Sequence, residues 1–201
     1  MPVIGLTGGV ATGKSTFARG LLSEMPELEH FDSDQCVRDL LSADDSVRDA
    51  IVELFGSQTL APNGRPDRIK LREIVFADGN HRKSLENILH PVVRHRWQDL
   101  AVRARNASGW LLVDIPLLYE TNSQAEFDRV IVVASPQETQ LRRMIHERGL
   151  APGVASQIIS AQLEIGVKTQ LADHVIWNDS TVLNLDGQTR LLVAWLKRWR
   201  S

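Results

Sequence analysis

Residues Gly8 to Ser15 read Gly-Gly-Val-Ala-Thr-Gly-Lys-Ser and hold the densest chemistry in the chain. They fit G-x-x-x-x-G-K-[ST], a pattern whose physical task is to cradle phosphate groups. Gly8 and Gly13 have no Cβ, so the backbone can fold tightly and turn its N–H groups inward. A helix starting behind them would add unpaired N–H groups and a partial positive charge. Lys14 supplies a full charge for β- and γ-phosphates. The Ser15 hydroxyl is a hard oxygen ligand of the kind a magnesium shell uses.

Carboxylates and cations elsewhere could complete such a site. Asp32-Ser33-Asp34 follows the weaker strand pattern Leu28-Glu29-His30-Phe31, and the expectation is that its two carboxylates point in different directions. Two readings stay open for this pair. One acid orients and deprotonates an acceptor hydroxyl, or the pair caps a helix. Asp114 ends another apolar run, where it either helps to hold magnesium or opens a turn before Ile115-Pro116. Arg142, Arg143, Arg148 and Lys168 lie together in one helical region. They are either a solvated face or cations that close over a transferring phosphate. Arg142 and Arg143 are neighbours and point about 100° apart, so only one can face a site squarely.

The elements that must position these residues follow from patterning. Pro2–Thr7, Trp110–Asp114, Val130–Val133 and His174–Trp177 read as buried strands, with a weaker one at Leu28–Phe31. Helical patterns lie between them, which predicts an α/β fold with a parallel sheet flanked by helices. Ligands of such sheets sit at the carboxyl ends of strands, where the loop, Asp32 to Asp34 and Asp114 to Pro116 all fall. Residues 56–106 open in a turn-rich stretch, Gly56 to Pro66, and then run helical. Pro91 fits the first turn of a helix ending near Asn106, with His90 at its start. Residues 136–168 read as two lid helices. Ser135-Pro136-Gln137-Glu138 gives a capping box with proline at the first helical position, Gly149 a stop, and Pro152 a new start. A last helix over about Thr189–Arg200 spaces Leu192, Trp195, Leu196 and Trp199 for core packing.

Composition narrows the function classes. The chain has 201 residues, 43% hydrophobic and 24% charged, which suits one globular unit with a sizeable core. A net charge of -2 gives no global pull toward nucleic acid or an anionic membrane. Cys36 is the single cysteine, which excludes a disulfide framework or a cysteine metal cluster, and it reads as a small buried filler. No basic leader precedes the first strand, and no apolar run reaches the ~18 residues of a membrane span. A reducing cytoplasm is the expected location.

Several segments together resemble the dephospho-CoA kinase family. They are Gly5 to Gly9 leading into Thr12 to Thr16, Asp32-Ser33-Asp34, Leu71 to Phe76, Leu89-His90-Pro91, and Asp114-Ile115-Pro116-Leu117-Leu118-Tyr119-Glu120. Gln140 to Arg143, Ala161-Gln162 and Ala172 to Asn178 complete the series in order, so the resemblance covers almost the whole chain. It implies a P-loop NTPase fold of the nucleotide-kinase type. The nucleotide core would be 1–55, 107–135 and 169–201, the helical acceptor-binding insertion 56–106 and the lid 136–168. It implies transfer of the ATP γ-phosphate, with magnesium, to the ribose 3′-hydroxyl of dephospho-CoA, the last step of CoA synthesis. By position, Asp34 is implied as the general base at the acceptor, with Lys14 and Arg143 acting on the transferred phosphate. Gly9, Val10, Ala11, Thr12, Gly13, Lys14, Ser15 and Thr16 hold ATP, and Asn178 approaches adenine. Arg72, His90 and Leu117 fall on the acceptor side, and Ser15 with Asp114 holds the metal. The implied partners are small molecules alone, ATP and dephospho-CoA, with no nucleic acid or membrane, in a monomer or small homo-oligomer.

The chain departs from the family pattern in places. Ala11-Thr12 stands where glycine and serine are usual, Ser33 where alanine is common, and Glu147-Arg148 where Arg-Asp is common. Ile158 stands where an arginine is common four residues ahead of Gln162, so one lid–phosphate contact is either missing or supplied by Lys168. Other readings are a different small-molecule kinase, for a nucleoside or sugar acid, and a non-catalytic nucleotide-binding module. The chain has no Asn-Lys-x-Asp guanine motif, which argues against a GTPase.

Overall fold

The computed structural model describes residues 2–106 and 109–200. Residues 107 and 108, which open the expected core segment 107–135, lie outside the described residues. The strands are β1 (Val3–Gly8), β2 (Leu28–Asp32), β3 (Trp110–Asp114), β4 (Arg129–Ala134) and β5 (His174–Trp177). Each lies within one residue of the run that predicts it. They form one sheet in the order β2-β3-β1-β4-β5, with β1 parallel to β3 and β4, and β4 parallel to β5.

Both faces of the sheet are covered, which is why β1 and β3 are buried throughout and, apart from Thr7 and Asp114 near their carboxyl ends, apolar. Alternate residues serve opposite faces. Ile4, Leu6, Ile131 and Val133 pack with Phe17 and Leu21 of helix α1 (Lys14–Glu24), and with Leu192 and Leu196 of the last helix (Val182–Arg200). Val130, Val132 and Ala134 pack with Leu118 and Tyr119 on the other face. Among the described residues no helix is long and apolar enough to cross a membrane.

Contacts divide the chain into two compact units, Met1–Phe31 with Arg103–Ser201, and Asp32–Val102. The first holds the sheet, α1 and everything after β3. The second is helical: α2 (Ser33–Ala43), α3 (Asp45–Phe55), α4 (Arg68–Ala77) and most of α5 (Gly79–Asn106). By contacts, helices α2 and α3, which the resemblance places in the nucleotide core 1–55, cluster with the helices beyond Gly56.

Three local expectations are corrected. Pro91 does not start a helix but sits inside α5, which spans 28 residues, so His90 is mid-helix and exposed. The true start is set by Asp78, whose carboxylate accepts the Asn80 N–H at 2.8 Å. Leu89, Val93 and Trp97, buried at four-residue spacing, carry the helix across the hydrogen bond that proline cannot make. The capping box at Ser135 does not form. Helix α6 (Gln137–His146) has Pro136 at its N-cap with φ -55 and ψ 150, and that extended turn leaves Ser135 fully buried at the end of β4. The last helix starts seven residues before Thr189, capped by Thr181, whose Oγ1 accepts the Asn184 N–H at 3.4 Å. Its first residues, Val182 and Leu183, are exposed and break the core-facing pattern.

The predicted lid helices are α6 and α7 (Pro152–Ser160). Gly149 takes φ +67 after α6, and Pro152 occupies the first turn of α7. Lys168 follows the second of these helices, as expected, and lies within a third helix, α8 (Ile165–Leu171).

Candidate active site

The phosphate loop leaves β1 under tight steric control. A Cβ on Gly8 would come within 2.4 Å of the Val133 carbonyl oxygen on β4. Gly13 adopts φ +89, and a Cβ there would meet the Asn178 Nδ2 at 2.2 Å. Ala11 is also left-handed, at φ +57. Thr12 is buried, and its hydroxyl donates to the Gly9 carbonyl at 2.8 Å. No side chain caps the N-terminus of α1. Its first N–H groups have no intrahelical acceptors and carry positive dipole, which suits an anion.

The loop's backbone is held from outside by side chains distant in sequence. Arg143 donates from Nη1 to the Ala11 carbonyl and from Nη2 to the Asn178 carbonyl, each at 3.0 Å. Asn178 Nδ2 donates to the Thr12 carbonyl at 2.8 Å. Gln162 Oε1 accepts the Val10 N–H at 2.9 Å. Gln140 lies against Gly9, where an added Cβ would be 2.7 Å from its Oε1. A trans peptide points its C=O and N–H in opposite directions. Holding the Ala11 and Thr12 carbonyls outward therefore turns the Thr12 and Gly13 N–H groups the other way. Arg143 is thus half-buried and engaged with the loop, whereas Arg142 and Arg148 are exposed on α6 and after it. Of the adjacent pair, Arg143 is the one that faces the loop.

Lys14 forms an ion pair with Asp114 Oδ1, and the Asp114 carboxylate is buried. The pairing follows from topology. Leu6 on β1 lies beside Asp114 on β3, so the strand that delivers the lysine and the one that delivers the carboxylate are hydrogen-bonded neighbours. Asp114 ends its strand with its side chain buried beside Lys14 rather than on the surface. Ser15 is exposed in the first turn of α1. A carboxylate and a hydroxyl are hard oxygen donors, and magnesium takes few protein ligands beside water and phosphate oxygens, so this donor set fits the metal. Among the described residues no group of three or more His, Cys, Asp or Glu could hold a metal by itself.

Lys168 is not a cation over the phosphates. It is fully buried, paired with Glu120 Oε1 at 2.8 Å, and donates to the carbonyls of Gly8 and Pro116 at 3.3 Å each. Ile158, on α7, leaves no cation at that position. Sequence reasoning missed this role, although Ile165, Lys168 and Ala172 share one helical face, which puts a lysine on an inward stripe. Leu117 is half-buried in the turn after β3.

In the second unit, the strand alternation expected for Asp32 and Asp34 does not extend past Asp32, because α2 begins at Ser33. Asp32 is the N-cap and accepts the Gln35 N–H at 2.9 Å. That leaves Asp34 exposed in the first turn, free of the capping role. Arg72 is exposed on α4, and His90 on α5. Cys36 is a buried thiol whose pKa is pushed up by burial, against the opposing pull of Arg96.

The model of the dephospho-CoA kinase family matches residues 2–184. This chain belongs to the dephospho-CoA kinase family. A dephospho-CoA kinase of Methylococcus capsulatus is 36% identical over 193 residues, covering 96% of this chain and 95% of that one. Among solved structures, TT1252 from Thermus thermophilus matches with TM-score 0.78 at 27% identity, covering 97% of each chain. A dephospho-CoA kinase from Campylobacter jejuni shares the fold, with TM-score 0.73 at 22% identity over 99% of this chain and 98% of that one. Membership in this kinase family accounts for the ATP-type loop, and the parallel sheet flanked by helices is the P-loop kinase fold.

Proposed function

We propose that the chain transfers the γ-phosphoryl group of ATP to the ribose 3′-hydroxyl of dephospho-CoA, giving CoA and ADP. The observation that carries this is the uncapped N-terminus of α1 behind a loop whose carbonyls are tied outward, with Lys14 held by Asp114 beside it. Such a site binds a polyphosphate through backbone N–H groups and a movable cation. Lys14 would exchange its carboxylate partner for the β- and γ-phosphates. Ser15 and Asp114 would hold magnesium, which supplies charge neutralisation at the phosphate oxygens. Gly9 through Thr16 would contact ATP, with Asn178 toward the adenine.

Asp34 would take the proton of the attacking 3′-hydroxyl. Its exposure, and the assignment of the cap to Asp32, favour it over Asp32 as the base. Arg72, His90 and Leu117 are proposed acceptor contacts, within an acceptor-binding segment 56–106. Arg143 is proposed to act at the transferred phosphate and residues 136–168 to exclude water on closure. The test is ADP release measured by a coupled assay with dephospho-CoA, adenosine, shikimate and gluconate as separate acceptors. Release that depends on dephospho-CoA alone is expected. Equal release with any other acceptor, or none above background, overturns the assignment.

A further inference from the structure

The mechanism makes no use of Lys168, a lysine without exposed surface. Burying an ammonium group is expensive, and its three donors must all be satisfied. Here they are spent on three acceptors: the Glu120 carboxylate, the carbonyl of Gly8 and the carbonyl of Pro116. Gly8 is the last residue of β1 and the first of the phosphate loop. Pro116 follows Asp114 by two residues, and its carbonyl also accepts the Thr7 hydroxyl at 3.0 Å. Glu120 Oε1 additionally accepts the Leu163 N–H at 2.9 Å, which fixes the carboxylate to the chain just before α8. One buried cation thus joins the ends of the strands that deliver Lys14 and Asp114.

From this geometry we infer that Lys168 is a positioning residue for the nucleotide phosphates, acting through the Gly8–Gly9 peptide. Drawing the Gly8 carbonyl toward α8 fixes the plane of that peptide and points the Gly9 N–H the opposite way. Arg143 and Asn178 do the same for two carbonyls further along the loop, those of Ala11 and Thr12. Lys168 differs in acting at the root of the loop from a fully buried position, and it ties that root to the turn after Asp114. The inference rests on the loop binding nucleotide phosphates, and it is independent of which acceptor is phosphorylated.

The experiment separates this role from simple support of the fold. Removing the lysine alone leaves the half-buried Glu120 carboxylate without its cation, so K168M confounds stability with binding. K168M/E120Q removes both charges and keeps an acceptor for the Leu163 N–H. Thermal unfolding and ADP titration by calorimetry, without acceptor, are measured on wild type and on the double variant. The expected result is a midpoint close to wild type with ADP bound at least tenfold more weakly. ADP affinity within threefold of wild type overturns the proposal, since Lys168 would then only fill space. If the double variant does not fold, K168M is titrated with ADP well below its own unfolding midpoint, where circular dichroism shows it fully folded and stability no longer enters the reading. An ADP affinity at least tenfold weaker then supports the proposal. Affinity within threefold of wild type overturns it. Wild type that binds ADP but fails to phosphorylate dephospho-CoA would refute the proposed reaction and leave this inference standing.

Discussion

Gly13→Ala tests whether the loop is held by the side chains that surround it. Alanine at φ +89 is strained, at a cost of about 1–2 kcal/mol. The new Cβ would also lie 2.2 Å from Asn178 Nδ2, so Asn178 must move. That movement breaks its bond to the Thr12 carbonyl and disturbs the Arg143 bond to its own carbonyl, each worth about 1 kcal/mol. The sum is about 2–4 kcal/mol. For a chain of this size that lowers the unfolding midpoint by roughly 5–15 °C. Thermal unfolding of Gly13→Ala, Asn178→Ala and the double variant forms a cycle. Asn178→Ala already lacks the side-chain bond to Thr12, keeps the carbonyl that Arg143 bonds, and relieves the clash, so the double variant should be no less stable than Gly13→Ala. The coupling should be about 1–2 kcal/mol. Strict additivity, or a Gly13→Ala midpoint within about 2 °C of wild type, would refute the bracing of the loop by Asn178.

Ala11→Gly relieves a left-handed alanine and should raise the midpoint by roughly 1–3 °C, the strain released exceeding the backbone entropy that glycine adds. A lowered midpoint would mean that φ +57 carries no strain in this loop. Asp34→Asn should bind ADP within about threefold of wild type by calorimetry and lose at least about a hundredfold in kcat, and near-normal turnover removes Asp34 as the base. Tyr119 is buried, its hydroxyl has no hydrogen-bond partner among the described residues, and burial foremost, then Asp173, pushes its pKa up to about 12. The folded state binds that proton more tightly than the unfolded chain does, so stability falls as pH rises from about 10 toward 12. Tyr119→Phe should match or exceed wild-type stability at pH 8 and lose less of it at pH 11, as read by urea unfolding at both pH values. An identical loss in both proteins would show that Tyr119 does not contribute.

The sheet was legible because each strand is a short β-branched or apolar run that ends at a polar or turn residue, as Trp110–Asp114 does. The phosphate loop was legible because its donors are backbone groups and its glycines are fixed by local geometry. Helix starts were less so. Pro91 carries a strong local preference for a first turn, but burial of Leu89, Val93 and Trp97 outweighs it. Ser135-Pro136-Gln137-Glu138 has capping composition, yet the strand before it carries Ser135 into the core, where its hydroxyl finds no partner. The division at Asp32 was hidden because β2 runs into α2 without a linker, with Asp32 serving both elements.

Lys168 was the least legible of the residues near the loop, and the reason is physical. A lysine is expected in solvent, and only its acceptors make burial tolerable. Those acceptors, Gly8, Pro116 and Glu120, lie far from it in sequence and include two backbone carbonyls that carry no residue-type signal. The same argument explains the departure at Ala11-Thr12. A loop that relied on its own residues for shape would need glycine at the left-handed position. Here the Ala11 and Thr12 carbonyls are fixed from outside by Arg143 and Asn178. Strain at a non-glycine residue persists where the surroundings over-determine its conformation. External bracing therefore moves the constraint from the loop's composition to α6 and the turn after β5. On this reasoning Arg143→Ala lets Ala11 relax from its left-handed conformation, so Ala11→Gly should be less stabilising there than it is in the wild-type background. Equal gains in the two backgrounds would show that the loop holds its shape unaided.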